Sequence, residues 1–380
     1  MLKKEVLEIK KQFKKTDCGI SRIAGCYVDG NKEKITYIEN GNFLNIEEDE
    51  MYKYLELAKK ALSGTLGNNL LEYEFPLEEE KPGGHHQLLM GVRESELKNP
   101  ELLDTFYEQV IANFEFAGNY LILLFYGAYD VPVRTKDNIK NQESDEVYQY
   151  MVCAICPVTL SKPGLSYLEE ENIIGLRKRD WIVAPPECGF LFPAFNDRST
   201  DIHAVLHYSK DPKNAHEEFV SGLLGCNTKM SAAVQKEAFQ AIVQETLGEE
   251  CNYETVTKIN EKLADMLPTP EEESATQEEE APQIVEKEQI RRIFEESGVS
   301  EEAVGHLDEV YETNIGTEQL YVENIVDTKP VKVKTNDIVL NINPEVAARV
   351  KSTIVDGQKC LLIPINSDEN ITINGVDARP

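Results

Sequence analysis

The sequence predicts an α+β fold, and three features of the apolar pattern carry this prediction. Residues 120–129, 146–158 and 181–195 form nearly continuous apolar runs, which are typical of strands covered on both faces. Segments with apolar residues at helical spacing surround these runs, whereas the C-terminal part alternates apolar and polar residues. We therefore expect a mixed β-sheet core covered by helices, followed by a helical segment, an acidic linker and a small β-rich C-terminal module.

The elements before the first apolar run follow from helical spacing and turn residues. An apolar stripe with lysines around it predicts a helix over residues 2–15, and the Asp-Gly pair at 29–30 predicts the turn of a hairpin. A second helix is expected over 47–62, with a short strand at 70–75. Proline at the first helical position opens a third helix over 100–114.

The rest of the chain is predicted to change from sheet to helix and back to strand. Polar residues 134–146 predict a surface loop between the first two core strands, and residues 181–208 predict a strand, a loop and a strand. Apolar residues recur at helical spacing over 209–267 and 286–312, which predicts helices in both segments. Beyond these helices, residues 320–380 alternate with period two and contain Asp-Gly and Asn-Gly pairs, which predict hairpins.

An acidic break divides the predicted elements into domains. Six of the ten residues at 271–280 are Glu, with prolines on both sides, and such a segment cannot bury apolar surface. We expect four parts: an α+β core domain at 1–208, a helical segment packed on the core at 209–267, an acidic disordered linker at 268–285, and C-terminal helices plus a small β module at 286–380.

The chain is strongly acidic, because 68 Asp and Glu against 39 Lys and Arg give a formal net charge of −29. A surface of this sign repels phosphate backbones on average. No apolar run reaches the roughly twenty residues of a membrane span, and the charged N-terminal residues do not resemble a secretory signal. We therefore expect a cytoplasmic protein without membrane contact, whose eight cysteines are reduced and mostly buried.

The common catalytic and cofactor motifs are missing, so we predict no catalytic residues, no cofactor and no metal site. Cys153 and Cys156 form a CxxC pair. Strand residues three apart point to opposite faces, which favours two buried structural thiols.

His203 and His207 are four apart in a strand-like segment, roughly 13 Å from each other and too far to share a metal. We expect these histidines at the surface or half-buried.

The densest polar cluster inside the apolar region is FNDRSTD, residues 195–201. Its candidate binding residues are Asn196, Asp197, Arg198, Ser199 and Asp201. A loop between core strands is a common place for ligand-binding groups, with carboxylates to bind a cation and Arg198 to hold an anion. The alternative is an Asx-turn in which an internal Arg–Asp bridge holds the shape of the loop.

Lysines gather at two places in this acidic chain. The candidate basic patch consists of Lys3, Lys4, Lys10, Lys11, Lys14 and Lys15 in the first helix and of Lys332 and Lys334 before the C-terminal strands. These lysines would bind nucleic acid or another acidic partner if they formed one basic face. The alternative is a solvated surface that relieves repulsion in a chain of this charge.

Long segments of the sequence resemble one family. The strings ISRIAGCYVDG, GNYLILLFYGAYDVPV and FLFPAFNDRSTDIHAVL are similar to an uncharacterised bacterial family, domain-of-unknown-function family 4317, and the resemblance covers nearly the whole chain. It implies no activity, because this family has no assigned function. The layout of apolar core, helices and small β-rich end also resembles the bacterial nucleoid-associated protein family, which implies association with nucleoid DNA or RNA.

Three functional hypotheses follow. The first is a non-catalytic interaction or scaffold protein with an unknown protein partner or a homo-oligomeric state, indicated by the missing catalytic motifs and the tethered C-terminal module. The second is nucleic-acid association through the lysine clusters, which the net charge disfavours. The third is a divalent-cation-dependent enzyme that uses the 196–201 loop. We expect the first hypothesis to apply.

Overall fold

The computed structural model describes residues 1–14, 18–134, 140–267, 283–326, 331–347, 349–365, 371–373 and 376–378. The chain divides into two compact units, Met1–Ser231 and Ala232–Pro380. The four-part division expected from the sequence stays a prediction. Most of the expected acidic linker, residues 268–282, lies outside the described residues, and Ile284–Val285 form a short strand.

The first unit is built on one large sheet. Its strands, in chain order, are β1 (Ile20–Val28), β2 (Lys34–Asn42), β3 (Leu70–Glu74), β4 (Asn119–Arg134), β5 (Lys140–Leu160), β6 (Leu165–Leu168), β7 (Ile173–Leu176), β8 (Trp181–Val183), β9 (Cys188–Phe192), β10 (Ala194–Asn196), β11 (Ser199–Asp201) and β12 (Ala204–Ser209). The large sheet has the order β2-β1-β4-β5-β9-β12-β3, and β8 pairs with the end of β5. Strands β6 and β7 form a separate hairpin, as do β10 and β11.

The predicted α+β class is confirmed, but two details of the prediction are corrected. The sheet is not mixed, because all of its strand pairings are antiparallel. Strands β1 and β2 follow each other through a short turn, and such turns join antiparallel strands. The polar segment predicted as a loop over 134–146 also belongs partly to the sheet, since β5 begins at Lys140.

Strand β4 lies inside the sheet and buries both of its faces. Four consecutive residues, Ile122, Leu123, Leu124 and Phe125, are each 0% exposed. Ile122 and Leu124 pack in one apolar cluster, and Leu123 and Phe125 pack in another. Because successive strand residues point to opposite faces, the two clusters lie on opposite sides of the sheet. The continuous apolar run is confirmed as a strand covered on both faces.

Two helical layers cover the sheet. The helices of the first unit are α1 (Lys3–Lys10), α2 (Glu48–Lys60), α3 (His85–Glu94), α4 (Pro100–Asn113) and α5 (Glu217–Gly222), with a 3₁₀ turn at Phe43–Asn45. Helices α3, α4 and α5 pack on one face, and α1 and α2 pack on the other. Helix α4 begins as predicted, because Asn99 Oδ1 accepts hydrogen bonds from the N–H groups of Glu101 and Leu102.

The second unit combines helices with short strand pairs. Its elements are α6 (Ala232–Leu247), α7 (Tyr253–Ala264), β13 (Ile284–Val285), α8 (Lys287–Glu296), α9 (Glu301–Val304), α10 (Leu307–Asn314), β14 (Leu320–Tyr321), α11 (Val322–Ile325), β15 (Val331–Lys334), β16 (Val339–Ile342), α12 (Pro344–Ala347), β17 (Lys351–Val355), β18 (Gln358–Leu362), β19 (Ile371–Ile373) and β20 (Val376–Ala378). The last six strands form three antiparallel hairpins, which confirms the small β-rich C-terminal part. Among the described residues, no helix combines the length and the apolar character that crossing a membrane requires.

Candidate functional site

An exposed hairpin, which we call the arm (residues 161–180), lies between β5 and β8 in the chain. Strand β5 ends at Leu160, which pairs with Trp181 at the start of β8. Hydrogen bonds close the base of the arm. The Ser161 N–H donates to the Asp180 carbonyl oxygen at 2.8 Å, and the Asp180 N–H donates to Ser161 Oγ at 3.1 Å. The arm is therefore an insertion between the end of β5 and β8, and its two ends are fixed side by side.

One face of the arm carries four large apolar side chains. The strand register pairs Leu165 with Leu176 and Tyr167 with Ile174, so these four side chains share a face. Their exposed fractions are 73%, 81%, 56% and 67% in that order. Within the described residues, β6 and β7 pair only with each other. Because an isolated two-stranded hairpin is marginally stable in water, covering this apolar face would stabilise the arm.

The arm carries opposite charges at its two ends. The tip has three exposed carboxylates, Glu169, Glu170 and Glu171. The base has four exposed cations, Lys162, Arg177, Lys178 and Arg179, and one exposed carboxylate, Asp180. Exposed apolar side chains continue past the base into β8, where Trp181 and Ile182 are 56% and 48% exposed. The combination of a large apolar face and charged ends is the strongest candidate interaction surface that the described residues offer.

A second candidate is a basic cleft between α1, α2 and the segment that follows β8. Its volume is about 740 Å³. The side chains around it are Lys10, Tyr52, Lys53, Glu56, Leu57, Lys59, Lys60, Ser63, Val183 and Pro185. Four lysines and one glutamate give this cleft a formal charge of +3, in a chain whose net charge is −29.

The lysines of the basic cleft differ in their partners. Lys53 Nζ lies 3.1 Å from Glu56 Oε2. For Lys10, Lys59 and Lys60, the described part of the chain contains no carboxylate within ion-pair distance. Burial and the neighbouring ammonium groups of Lys60 and Lys59 lower the pKa of Lys10. The cleft therefore brings like charges together without neutralising them.

The lysines of the predicted basic patch are distributed over both units of the chain. Lys3, Lys4, Lys11 and Lys14 are exposed on or just after α1, whereas Lys10 is half-buried at the basic cleft. Lys15 lies outside the described residues. Lys332 and Lys334 are exposed on β15 in the second unit. A single basic face made of both groups stays a prediction.

The predicted binding loop is a tight hairpin turn between β10 and β11. Asn196 pairs with Ser199 across the hairpin, and Asp197 and Arg198 both have positive φ angles, 50° and 60°. A two-residue turn with positive φ at both positions is the type whose backbone twist matches that of the two strands in a hairpin. The side chain of Asp197 is exposed at the turn.

Arg198 connects this hairpin to α1. Its Nη2 donates to Glu8 Oε1 at 2.9 Å, and its Nε donates to Glu8 Oε2 at 3.3 Å. Both terminal nitrogens also donate to the carbonyl oxygen of Pro132 at 3.1 Å. The bond to Glu8 raises the pKa of the Arg198 guanidinium. The arginine therefore pairs with a distant glutamate and not with an aspartate of its own loop.

The other polar residues of the turn are also engaged in contacts. Asn196 Nδ2 donates to Asp201 Oδ2 at 2.7 Å and to Glu72 Oε1 at 2.5 Å. Glu146 accepts three hydrogen bonds from Ser199 and Thr200, and these bonds lower the pKa of its carboxyl group. These contacts fix the hairpin on the sheet and on α1. A binding role for the turn stays a prediction.

The family described as Domain of unknown function (DUF4317) matches residues 1–376 of the chain. The chain belongs to this family. The membership expected from the resemblance is thereby confirmed. No curated protein and no solved structure matches the chain. Because the DUF4317 description names no activity, the function of this member has to be argued from its own surfaces and interior.

Two interior features of this DUF4317 protein bear on catalysis. Cys153 and Cys156 pack in the clusters on opposite faces of the sheet, which confirms the prediction from strand geometry. His207 Nε2 lies 3.4 Å from Cys188 Sγ, and both residues are 0% exposed. His203 instead is exposed, with Nδ1 2.6 Å from Glu80 Oε1. Of the two histidines, His207 is therefore more deeply buried than the sequence indicates.

The Cys188–His207 contact resembles a nucleophilic dyad only in its geometry. Burial lowers the pKa of His207 to about 3 and raises the pKa of Cys188 well above its usual value. A reactive cysteine needs the opposite, a lowered thiol pKa beside a basic imidazole. Both groups are therefore neutral, and the pair is a packing contact. Within the described ranges, no three His, Cys, Asp or Glu side chains converge in a way that could hold a metal ion.

Proposed function

We propose that this DUF4317 protein is a non-catalytic interaction protein that associates with a second copy of itself through the apolar face of the arm. The observation that carries the proposal is the set of four large apolar side chains, Leu165, Tyr167, Ile174 and Leu176, each more than half exposed on one side of a hairpin. Exposed apolar surface of this kind marks interaction sites.

A second copy is the occupant that the charges of the arm favour. Two arms stacked face to face in antiparallel orientation place the acidic tip of each against the basic base of the other. Because the dimer has twofold symmetry, each favourable contact between tip and base occurs twice. A parallel stack would oppose three carboxylates to three carboxylates. Since two chains of net charge −29 repel each other, the local charges of the arm have to select the orientation.

The energies involved permit such an association. Burying one Leu or Ile side chain stabilises by about 1.5–3 kcal/mol, and the interface would bury four large apolar side chains from each copy. The loss of translational and rotational freedom costs about 4–15 kcal/mol. Because the two terms are similar in size, we expect an association whose extent depends on protein concentration.

Sedimentation equilibrium of the full chain over a range of protein concentrations tests the proposal. The wild type should show a concentration-dependent dimer. The double variant Leu165→Asp/Leu176→Asp should weaken the dimer at least about hundredfold, because each copy loses two apolar contacts and the change counts twice. The matched control is Ile173→Asp, which places one carboxylate on the opposite face of the same hairpin.

The possible results separate clearly. A dimer that Leu165→Asp/Leu176→Asp abolishes and Ile173→Asp retains supports the proposal. A wild-type chain that is monomeric at all concentrations contradicts it. An equal loss in both variants also contradicts it, since association would then depend on general properties of the hairpin and not on its apolar face.

The two alternative functions stay predictions with tests of their own. Nucleic-acid association predicts a steep loss of binding with added salt, and a weaker affinity when Lys10, Lys11, Lys14 and Lys15 are changed to Glu. A flat response to salt excludes it. The cation-dependent enzyme predicts that a divalent ion stabilises the protein and that Asp197→Asn/Asp201→Asn removes this effect. The absence of a thermal shift with any divalent ion excludes that hypothesis.

A further inference from the structure

We propose that the basic cleft binds a small organic phosphate of the nucleotide class. In this arrangement the phosphate groups lie against Lys10, Lys59 and Lys60, and the apolar part of the ligand packs on Tyr52. This proposal is independent of self-association, because the basic cleft and the apolar face of the arm share no residue.

The charge of the cleft is the first argument. Although single lysines relieve repulsion in a chain with 68 acidic residues, three ammonium groups that converge, with no carboxylate of the described residues within ion-pair distance, repel one another. Burial, and after it the repulsion from Lys60 and Lys59, lowers the pKa of Lys10. A phosphate placed between these lysines would remove the repulsion and form charge-assisted hydrogen bonds.

Helix dipoles explain part of this arrangement but not all of it. Lys10 lies in the last turn of α1, and Lys59 and Lys60 lie in the last turn of α2. A cation at a helix C-terminus stabilises by about 0.3–1 kcal/mol, so each helix end favours a lysine. The two helix ends contribute only about −0.5 charge each, against the formal +3 of the cleft. The helix dipoles also do not explain why the C-terminal ends of α1 and α2 lie at the same cleft.

The volume of the cleft and its apolar side chains indicate which kind of phosphate ligand fits it. A volume of about 740 Å³ falls within the range of roughly 300–1,000 Å³ that small-molecule sites occupy. Leu57, Val183 and Pro185 give the cleft an apolar wall, and the Tyr52 ring is 42% exposed beside them. An inorganic anion would leave this wall unused, whereas a nucleotide base can stack on an aromatic ring.

Calorimetric titration of the full chain tests the proposal, with ATP and inorganic tripolyphosphate as probes. ATP should bind at least tenfold more tightly than tripolyphosphate, because only ATP contacts the apolar wall. Lys10→Gln/Lys60→Gln should weaken ATP binding at least tenfold, which is about 1.4 kcal/mol. The matched control is Lys4→Gln/Lys11→Gln, which removes the same charge from exposed positions near or on α1. Its ATP affinity should stay within about twofold of the wild type.

Several results would overturn the proposal. One is that neither probe binds, and another is that the cleft variant and the control variant lose affinity equally. Equal affinity for ATP and tripolyphosphate would show that the cleft selects phosphate alone. A single-stranded oligonucleotide that binds more tightly than ATP, and competes with it, would assign the cleft to nucleic acid instead.

Discussion

At the scale of single residues, His207 shows how burial decides chemistry. Its ring contacts Tyr73, Phe219 and the thiol of Cys188, and it is 0% exposed. The sequence identifies a strand with alternating residues there, but it does not show which face is covered. This face is covered by α5, which begins ten residues after His207. The burial of His207 therefore depends on how α5 folds back onto the sheet, which the alternation within the strand does not show.

The buried imidazole makes the stability of the protein sensitive to acid. The folded-state pKa of His207 is lowered to about 3, from 6.5. Between these values the unfolded chain binds a proton that the folded chain does not. Above about pH 6.5 the protonation of His207 does not affect the free energy of unfolding. As the pH falls from about 6.5 toward about 3, the free energy of unfolding decreases by about 1.4 kcal/mol per pH unit.

His207→Phe should therefore reduce the loss of stability between about pH 6.5 and pH 5. The measurement is the free energy of unfolding in urea at each pH, for the variant and the wild type. His203→Gln is the control, because His203 is exposed and its pKa is raised by the hydrogen bond to Glu80. If His207→Phe and the wild type lost stability in parallel, the imidazole would not be the group that titrates.

At the scale of elements, the hairpin of β10 and β11 is fixed by residues from distant parts of the sequence. Arg198 reaches Glu8 on α1 and the carbonyl group of Pro132, and its side chain is 18% exposed. The sequence correctly marks this segment as the polar cluster within the apolar region. It does not predict the partner, because the residue types alone allow Arg198 to pair with a nearby aspartate. The packing of α1 against the sheet places Glu8 beside Arg198 and so determines which carboxylate the arginine pairs with.

Arg198→Ala should lower the free energy of unfolding by about 2–3 kcal/mol, because it leaves the half-buried Glu8 carboxylate with fewer hydrogen bonds. Amide protons of α1 should also exchange faster with solvent, since the helix loses its bond to the hairpin. Lys53→Ala removes the exposed ion pair with Glu56 and should cost no more than about 0.5 kcal/mol. Equal effects of the two substitutions would contradict the structural role of Arg198.

The arm is the element that the sequence predicts least well. Its strands have four residues each, and period-two alternation over so short a run is a weak signal. The acidic tip separates two apolar segments and in hindsight fits a hairpin with exposed ends. Which face is apolar becomes clear only from the register, which pairs Leu165 with Leu176 and Tyr167 with Ile174.

At the scale of the whole molecule, the apolar runs predict strands covered on both faces. The structure confirms this for the centre of β4 and for β9, whereas β8, at the start of the third run, is exposed. Helices cover the centre of the sheet, so the candidate surfaces lie around it. The basic cleft forms where α1, α2 and the residues after β8 meet, and these parts are far apart in the sequence. Such convergence follows from the tertiary packing, and for this reason the composition of the chain does not reveal it.

Self-association through antiparallel arms is tested most directly by mixing two charge-reversed forms of the full chain. One form has a basic tip, with Glu169→Lys, Glu170→Lys and Glu171→Lys. The other has an acidic base, with Lys162→Glu, Arg177→Glu and Lys178→Glu. In each form alone, tip and base carry the same sign, so antiparallel arms repel each other and the dimer should be lost. In an equimolar mixture every tip again faces a base of opposite charge.

Native mass spectrometry distinguishes the two forms by mass and shows which dimers are present. We predict that each form alone is monomeric at concentrations where the wild type is dimeric, and that the mixture contains heterodimers. A parallel stack of arms would not weaken either form relative to the wild type. If both forms dimerise as well as the wild type, or if the mixture yields no heterodimer, self-association through antiparallel arms is contradicted.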